Sequence, residues 1–259
     1  MSYTSLFMIL NFTIYTFVFI FGICIGSFLN VCIYRIPQGI SISKGRSFCP
    51  SCHHQLHAMD LIPLFSYLFL KRKCRYCHEL ISPRYFCIEL LTGILFILIY
   101  HMNQMSVLFF LNCSFASLLL VIALIDYDTM DIYDYNHICF ILLAILRLLF
   151  VHDESIISML LGAIIISLPL LIIYFLTKGG IGMGDIKLMA STGLFLGFNT
   201  TLVAFIIGTI LAALVGIYYL IRGQKEIQDR MAFGPFLAIG LFIASLYGNI
   251  LISFYLSLF

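Results

Sequence analysis

Gly180-Ile-Gly-Met-Gly-Asp-Ile-Lys187 is a short break between two long apolar runs of the chain. The flanking runs, Ser155–Thr177 and Leu188–Ile221, contain no lysine, arginine, aspartate or glutamate. A helix needs about 20 apolar residues to cross a bilayer, and each run is long enough. We therefore expect the break to lie at the rim of a membrane, where three alternating glycines precede a carboxylate.

The composition of the whole chain is that of a polytopic membrane protein. It is 62% hydrophobic and 10% charged, whereas a soluble domain carries about 25% charged residues. So little charge cannot cover a water-exposed surface, which excludes a soluble protein. We expect membrane lipid around the chain and no nucleic acid as a partner.

Charge-free runs and their polar breaks predict an all-α fold of about eight transmembrane helices. Leu90–Ile125 is long enough to fold back at His101-Met-Asn-Gln104, and Leu188–Ile221 can fold back at Asn199-Thr-Thr201. A further span contains Arg147. The predicted spans are residues 7–34, 85–101, 105–126, 136–152, 156–177, 185–198, 200–221 and 233–257.

The basic residues predict the orientation of these spans. With eight spans, all of the 14 lysines and arginines except Arg147 fall on one face, including Lys225 and Arg230. Cytoplasmic loops carry such an excess, so this face is cytoplasmic and the N-terminus lies outside. No basic region precedes the first span, as it would in a cleavable signal peptide, so we expect this span to be a membrane anchor. The predicted division is a first helix (1–34), a cytoplasmic insert (35–84) and a membrane core of about seven helices (85–259).

The insert contains two pairs of cysteines with the spacing of a zinc knuckle. Cys49 and Cys52 form one CxxC pair, and Cys74 and Cys77 form the second. Two such pairs give tetrahedral sulfur coordination, which suits zinc, and a reducing cytoplasm disfavours disulfides. Four sulfur ligands leave no open position, so the predicted zinc is structural. The alternative is two redox-active or unrelated pairs.

Asp126 and Asp185 are the candidate catalytic residues. Asp126 ends the third predicted span and Asp185 begins the sixth, so the topology puts both at cytoplasmic helix ends. Carboxylates in membranes are costly and usually functional. Two that lie close share a proton, so one can act as a base on water while the other polarises a carbonyl. The alternative for Asp185 is a solvated aspartate that caps a helix.

Gly182 and Gly184 are the candidate substrate-binding residues. Because they have no side chains, a substrate backbone could come close to Asp185, and unusual dihedral angles are allowed at the helix entrance. Asp128 and Asp131, which follow Asp126 closely, are expected to lie in a solvated turn.

Six motifs occur in order along nearly the whole chain. They are GSFLNVCIYRIP (26–37), the two CxxC pairs, ISPRYFCIELLTG (81–93), LIDYDTMDIYD (124–134), GMGDIKLMA (182–190) and FGPFLAIG (233–240). Together they resemble the type IV prepilin peptidase family. The resemblance implies a bacterial inner-membrane aspartic endopeptidase of the GxGD type, with catalytic residues that match Asp126 and Asp185.

The resemblance also implies the substrates and a second activity. Such enzymes remove the short basic leader of prepilins or pseudopilins, just before an apolar helix. Many members then methylate the new N-terminus with S-adenosylmethionine. Two positions depart from the family pattern: Tyr133 stands where proline is common, and Arg72 stands where glycine is common. Methylation stays open because the second departure lies in the insert.

Other functions account for only part of the sequence. A presenilin-like or signal-peptide-peptidase-like protease shares the GxGD motif but does not explain the four-cysteine insert. A proton-coupled transporter would place its carboxylates near the bilayer midplane rather than at helix ends. A non-catalytic scaffold that docks partners through the zinc knuckle would leave Asp126 and Asp185 far apart.

Overall fold

The computed structural model describes residues 3–223 and 231–258, which form helices, the loops between them and the longer non-helical segments 36–57 and 70–82. The helices are α1 (Tyr3–Arg35), a 3-10 helix (Ala58–Leu61), α2 (Phe65–Phe69), α3 (Pro83–Asn103), α4 (Val107–Thr129), α5 (Asp134–Phe150), α6 (Ile156–Ile165), α7 (Ser167–Leu176), α8 (Met183–Leu196), α9 (Phe198–Ile221) and α10 (Gly234–Leu256). The predicted all-α class is confirmed. Lys225 and Arg230, used above to predict the topology, lie outside the described residues.

Within the described residues, six helical segments are long and apolar enough to cross a membrane. They are α1, α3, α4, the pair α6–α7, α9 and α10, and each overlaps a predicted span. The other two predicted spans form α5 and α8, which have only 17 and 14 residues. At 1.5 Å per residue α8 extends about 21 Å, less than the roughly 30 Å of the hydrocarbon core.

The chain divides into two compact units, Met1–Met105 and Ser106–Phe259. In the first unit α1 packs along α3, with the four-cysteine insert between them in the chain. Cβ atoms at Gly22 and Gly26 of α1 would lie 2.8 Å from the Cα atoms of Gly93 and Glu89. Small residues let helices in lipid approach closely, which strengthens their packing. The boundaries at residues 34 and 84 were predicted from membrane topology, whereas the two units are defined by packing, so these boundaries stay a prediction.

In the second unit the short helix α8 lies among several others. It packs against α5, α6, α7 and α9, while α4 packs against α5 and α10. Phe195 of α8 stacks on Phe115 of α4 with ring centroids 4.5 Å apart. The backbones of Gly162 in α6 and Gly193 in α8 touch so closely that neither position has room for a side chain. These contacts fix the helix whose first turn contains Asp185.

Candidate active site and metal centre

Asp126 lies near the end of α4 and is only 5% exposed. The backbone N–H of Gly234 donates to its Oδ2 atom at 2.9 Å. Gly234 is the first residue of α10, so no carbonyl within the helix satisfies its N–H, and the positive end of α10 favours a carboxylate. A Cβ atom at Gly234 would lie 2.6 Å from Oδ2. A side chain at this position would therefore displace the Asp126 carboxylate or the first turn of α10.

Asp185 lies in the first turn of α8 and is partly buried. The loop between α4 and α5 lies against the start of α8, since a Cβ atom at Gly184 would lie 3.0 Å from the Cβ atom of Ile132. Helix α10, whose first N–H binds Asp126, packs against both α4 and α8. The end of α4 that carries Asp126 and the start of α8 that carries Asp185 therefore lie at the same end of this unit, although 59 positions separate the two aspartates in the chain.

The two glycines before Asp185 make room for residues of the protein itself. A Cβ atom at Gly182 would lie 2.9 Å from Asp185 Oδ2, and one at Gly184 would lie 3.0 Å from the Cβ atom of Ile132. Gly182 has φ −66° and ψ 131°, values open to any residue. The unusual dihedral expected at the helix entrance occurs earlier, at Gly179, where φ is +96°. Substrate binding by Gly182 and Gly184 stays a prediction.

The other aspartates near the α4–α5 loop are exposed. Asp131 lies at the surface in the loop, where a solvated turn was expected, whereas Asp128 lies at the surface in the last turn of α4. Asp134, at the start of α5, accepts from Lys187 Nζ of α8 at 2.6 Å, and both side chains are exposed. An exposed ion pair of this kind adds little stability, but it joins α5 to the first turns of α8.

Sequence reasoning assigned no role to Arg147, which holds the far end of α8. One of its terminal nitrogens donates to the Phe195 carbonyl at 2.6 Å, and its guanidinium lies 5.2 Å from the centroid of the Phe195 ring. Its Nε and other terminal nitrogen donate to the Asp153 carboxylate at 2.9 and 2.7 Å. A cation suits the C-terminal end of a helix, whose last carbonyls lack partners. Arg147 therefore fixes the axial position of α8.

The four insert cysteines form one cluster, as the sequence predicted. Their Sγ atoms all lie within 4.8 Å of one another, and those of Cys49 and Cys77 are 3.9 Å apart. Sulfur atoms at about 2.3 Å from a tetrahedral zinc would be about 3.8 Å apart. The donor set and its spacing therefore fit a metal ion.

The two halves of the cluster have the same local fold. In the first, Cys49 N donates to His54 O and His53 N donates to Cys49 O; in the second, Cys74 N donates to Glu79 O. The residue after each second cysteine, His53 or His78, has a positive φ of 57° or 59°. Each CxxC pair thus lies on its own tight turn, and the turns bring both pairs to one point.

The thiols of the cluster differ in acidity. Burial disfavours the Cys49 thiolate, but hydrogen bonds from the Cys52 and Ser51 N–H groups and from neighbouring thiols lower its pKa to about 7. The Glu79 N–H favours a thiolate at Cys77, but burial and hydrogen bonds with the other thiols raise its pKa to about 12. These surroundings therefore favour a thiolate at Cys49 over one at Cys77, and thiolate is the form that binds metals.

Asp60 ties the second cysteine turn to the 3-10 helix of the insert. Its carboxylate accepts from Arg75 Nε at 2.6 Å, from the Tyr76 hydroxyl at 3.0 Å and from His57 N at 3.2 Å. Burial opposes its ionisation, but the hydrogen bonds from Arg75, His57 and Tyr76 outweigh burial and hold the pKa of Asp60 below its usual value. This network braces the turn on which Cys74 and Cys77 lie.

Comparison with known proteins gives matches along nearly the whole chain. Residues 20–103 match the Bacterial Peptidase A24 N-terminal domain, and residues 113–217 match the Type IV leader peptidase family. A prepilin leader peptidase/N-methyltransferase of Bacillus subtilis is 38% identical over 93% of this chain and 97% of its own length. One of Dichelobacter nodosus is 33% identical, with 90% and 91% covered, and one of Aeromonas salmonicida is 30% identical, with 94% of each covered. No solved structure is a significant match.

Proposed function

The chain belongs to the type IV prepilin leader peptidase family, and from this premise we propose that Asp126 and Asp185 are its catalytic residues. It is a multi-pass bacterial membrane protein and an aspartic peptidase that cleaves prepilin leaders. The observation that carries the proposal is a pair of carboxyl groups, one buried and one partly buried, at the end of α4 and the start of α8, two helices that both pack against α10. Two nearby carboxyl groups that share one proton are the arrangement of aspartic proteases.

The surroundings of the two aspartates suggest their roles. The hydrogen bond from Gly234 N stabilises the ionised form of Asp126, so Asp126 acts as the base that takes a proton from water. The hydroxide attacks the scissile carbonyl carbon while Asp185 donates its proton to the carbonyl oxygen. Collapse of the tetrahedral intermediate breaks the C–N bond, and Asp126 returns its proton to the leaving amine. Both aspartates end in their starting forms after Asp185 regains the hydroxyl proton.

The proposed topology has eight membrane passages, with α5 and α8 as short ones. The N-terminus lies outside, the insert lies in the cytoplasm, and the membrane is the bacterial inner membrane. The excess of basic residues on one face supports this orientation. A prepilin or pseudopilin helix would then present its basic leader to the cytoplasm. Its scissile backbone would pass Gly182 and Gly184, which lie exposed or partly exposed beside Asp185.

The four-cysteine cluster is proposed to hold a structural zinc ion, because tetrahedral sulfur coordination leaves no position open for catalysis. Methylation of the new N-terminus, with S-adenosylmethionine as the donor, is the proposed second activity. The relatives' names include N-methyltransferase, which supports it. Because Arg72 stands in the insert where glycine is usual, methylation should be measured directly.

A cleavage assay with purified enzyme and a prepilin tests the catalytic pair. Asp126→Asn and Asp185→Asn should each abolish the mobility shift of the processed pilin while the protein stays folded. The matched control is Asp131→Asn, which alters an exposed aspartate of the adjacent loop and should cleave like the parent. Cleavage by either of the first two variants would refute the mechanism. Mass spectrometry with and without S-adenosylmethionine should show the added mass of one methyl group on the pilin.

A further inference from the structure

Helix α2, between the two cysteine pairs, is fastened to the first turns of span α3. Leu64 N donates to Glu89 Oε2 at 2.7 Å, and the Tyr67 ring stacks on Phe86 with centroids 5.3 Å apart. Glu89 is six residues beyond Pro83, where α3 begins, so this contact lies about 9 Å along the helix. Since α3 is long and apolar enough to cross a membrane from its first residue, the proposed topology puts α2 beside the membrane boundary of that span.

The outer face of α2 is apolar. Phe65, Leu68 and Phe69 are 54%, 59% and 81% exposed. Their spacing of i, i+3 and i+4 puts them on one side of the helix, and the rings of Phe65 and Phe69 stack with centroids 6.4 Å apart. Leu61 and Ile62, just before α2, are also exposed. Exposed apolar side chains grouped on one side of a helix are typical of an interaction surface.

Three cations follow this face directly. Lys71, Arg72 and Lys73 are exposed, and none forms an ion pair with a carboxylate in the part of the chain that the structure describes. Lys71 N donates to Leu68 O and Arg72 N donates to Tyr67 O, so the cations are tied to the end of α2. An apolar helical face with lysine and arginine at its edge is typical of a helix that lies on an anionic bilayer.

We propose that α2 and the turn after it form a lipid-docking patch, made of Phe65, Leu68, Phe69 and the cations 71–73. The apolar side chains enter the boundary between headgroups and acyl chains, and the cations bind anionic phospholipid headgroups. Lipid is the occupant because α3 holds α2 at the membrane boundary and because the charge beside the apolar face is positive. Docking would hold the second cysteine turn, which begins at Cys74, against the membrane surface.

A single tryptophan can report on this patch, because the chain contains none. Phe69→Trp changes a side chain that is 81% exposed, so the fold should tolerate it. The variant is placed in bilayer nanodiscs of phosphatidylcholine, with and without phosphatidylglycerol, and with plain or brominated acyl chains. We expect blue-shifted emission that iodide quenches weakly and that brominated chains largely abolish, with the larger loss in the anionic bilayer.

Two further variants test the cations. Phe69→Trp combined with Lys71→Gln, Arg72→Gln and Lys73→Gln should lose the difference between anionic and neutral bilayers. The matched control combines Phe69→Trp with Lys44→Gln and Arg46→Gln, which remove exposed charges elsewhere in the insert and should keep that difference. Circular dichroism and metal content check that each variant is folded.

Three outcomes would overturn the proposal. Iodide quenching as strong as that of free N-acetyltryptophanamide would mean that water covers the patch. Emission protected from iodide but insensitive to brominated chains would mean that protein covers it. Equal quenching by brominated chains in neutral and anionic bilayers would contradict the proposed binding of anionic headgroups by the cations.

Discussion

Gly234→Ala should disable the proposed base without unfolding the protein. A Cβ atom at this position would lie 2.6 Å from Oδ2 and 2.9 Å from Cγ of Asp126, whereas ordinary contact begins at 3.4 Å. The carboxylate, or the first turn of α10, must therefore shift by about 0.8 Å, the difference between these distances. The shift also breaks or lengthens the hydrogen bond from Gly234 N.

The expected loss of rate follows from this displacement. Misplacing a catalytic group by about 1 Å costs roughly 100-fold, so we expect the first-order cleavage rate to fall about 100-fold. The assay is single-turnover cleavage of a prepilin at saturating enzyme, which separates the chemical step from binding and release. The affinity for the prepilin should change little, because Gly234 is buried and contacts Asp126 rather than lying on a surface that the substrate could bind.

The matched control is Gly216→Ala in α9, where the nearest atom to a new Cβ would be Met231 Cε at 3.9 Å. This variant should cleave at the parent rate. The thermal unfolding temperature of both variants, measured in the same detergent, shows whether the fold is intact. A Gly234→Ala variant that is folded and cleaves as fast as the parent would refute the proposed role of this contact.

The remaining predictions concern the insert and the far end of α8. Cys49→Ser should lower the zinc content and make the insert more sensitive to protease, and full metal retention would contradict the four-sulfur site. Arg147→Met should leave the Phe195 carbonyl without its partner, at a cost of about 1–3 kcal/mol. We expect a lower unfolding temperature and slower cleavage, with partial recovery in Arg147→Lys; an unchanged unfolding temperature would argue against the clamp. Because the pKa of Asp60 is held below its usual value, its stabilisation of the insert is present above about pH 4 and is lost as pH falls through the lowered pKa. Limited proteolysis against pH should show this loss in the parent and not in Asp60→Asn, and identical profiles would contradict it.

Much of the fold could be predicted from the sequence, because membrane helices are marked by long runs of apolar residues without charge. Charge-free runs predicted the segments that became α1, α3, α4, α6–α7, α9 and α10. The predicted spans 136–152 and 185–198 have the lengths of α5 and α8. The break between α8 and α9 was placed at Asn199-Thr-Thr201, two residues late, because apolar residues such as Leu196 and Phe198 continue through the turn between the helices. Gly197, with φ +80°, breaks the helix there. An apolar loop that is buried against other helices carries no polar signal for a sequence-based prediction.

The contacts that complete the candidate site were harder to predict. Asp126 and Asp185 stand out because charge is rare in apolar runs. Gly234 does not stand out, because its role depends on a hydrogen bond from its backbone N–H to a carboxylate 108 positions away. Arg147 was noticed as the one basic residue off the face predicted to be cytoplasmic, but its partner is the backbone carbonyl of Phe195. Every residue has such a carbonyl, so no residue type could have identified the partner. The Phe233-Gly-Pro motif at the start of α10 was the available clue, because proline often follows a helix start.

The shortness of α8 also bears on how water reaches the bond to be hydrolysed. A helix of about 21 Å leaves roughly 9 Å of a 30 Å hydrocarbon core unfilled at its ends. Arg147 and Asp153 hold one end of α8, and Asp185 lies at the other. In the proposed topology, these polar ends would lie close to the water phases rather than among acyl chains. The shortness of α8 would then give water, the second reactant of the hydrolysis, a path to Asp185, and lengthening the helix by two turns should remove the carboxylate from that water.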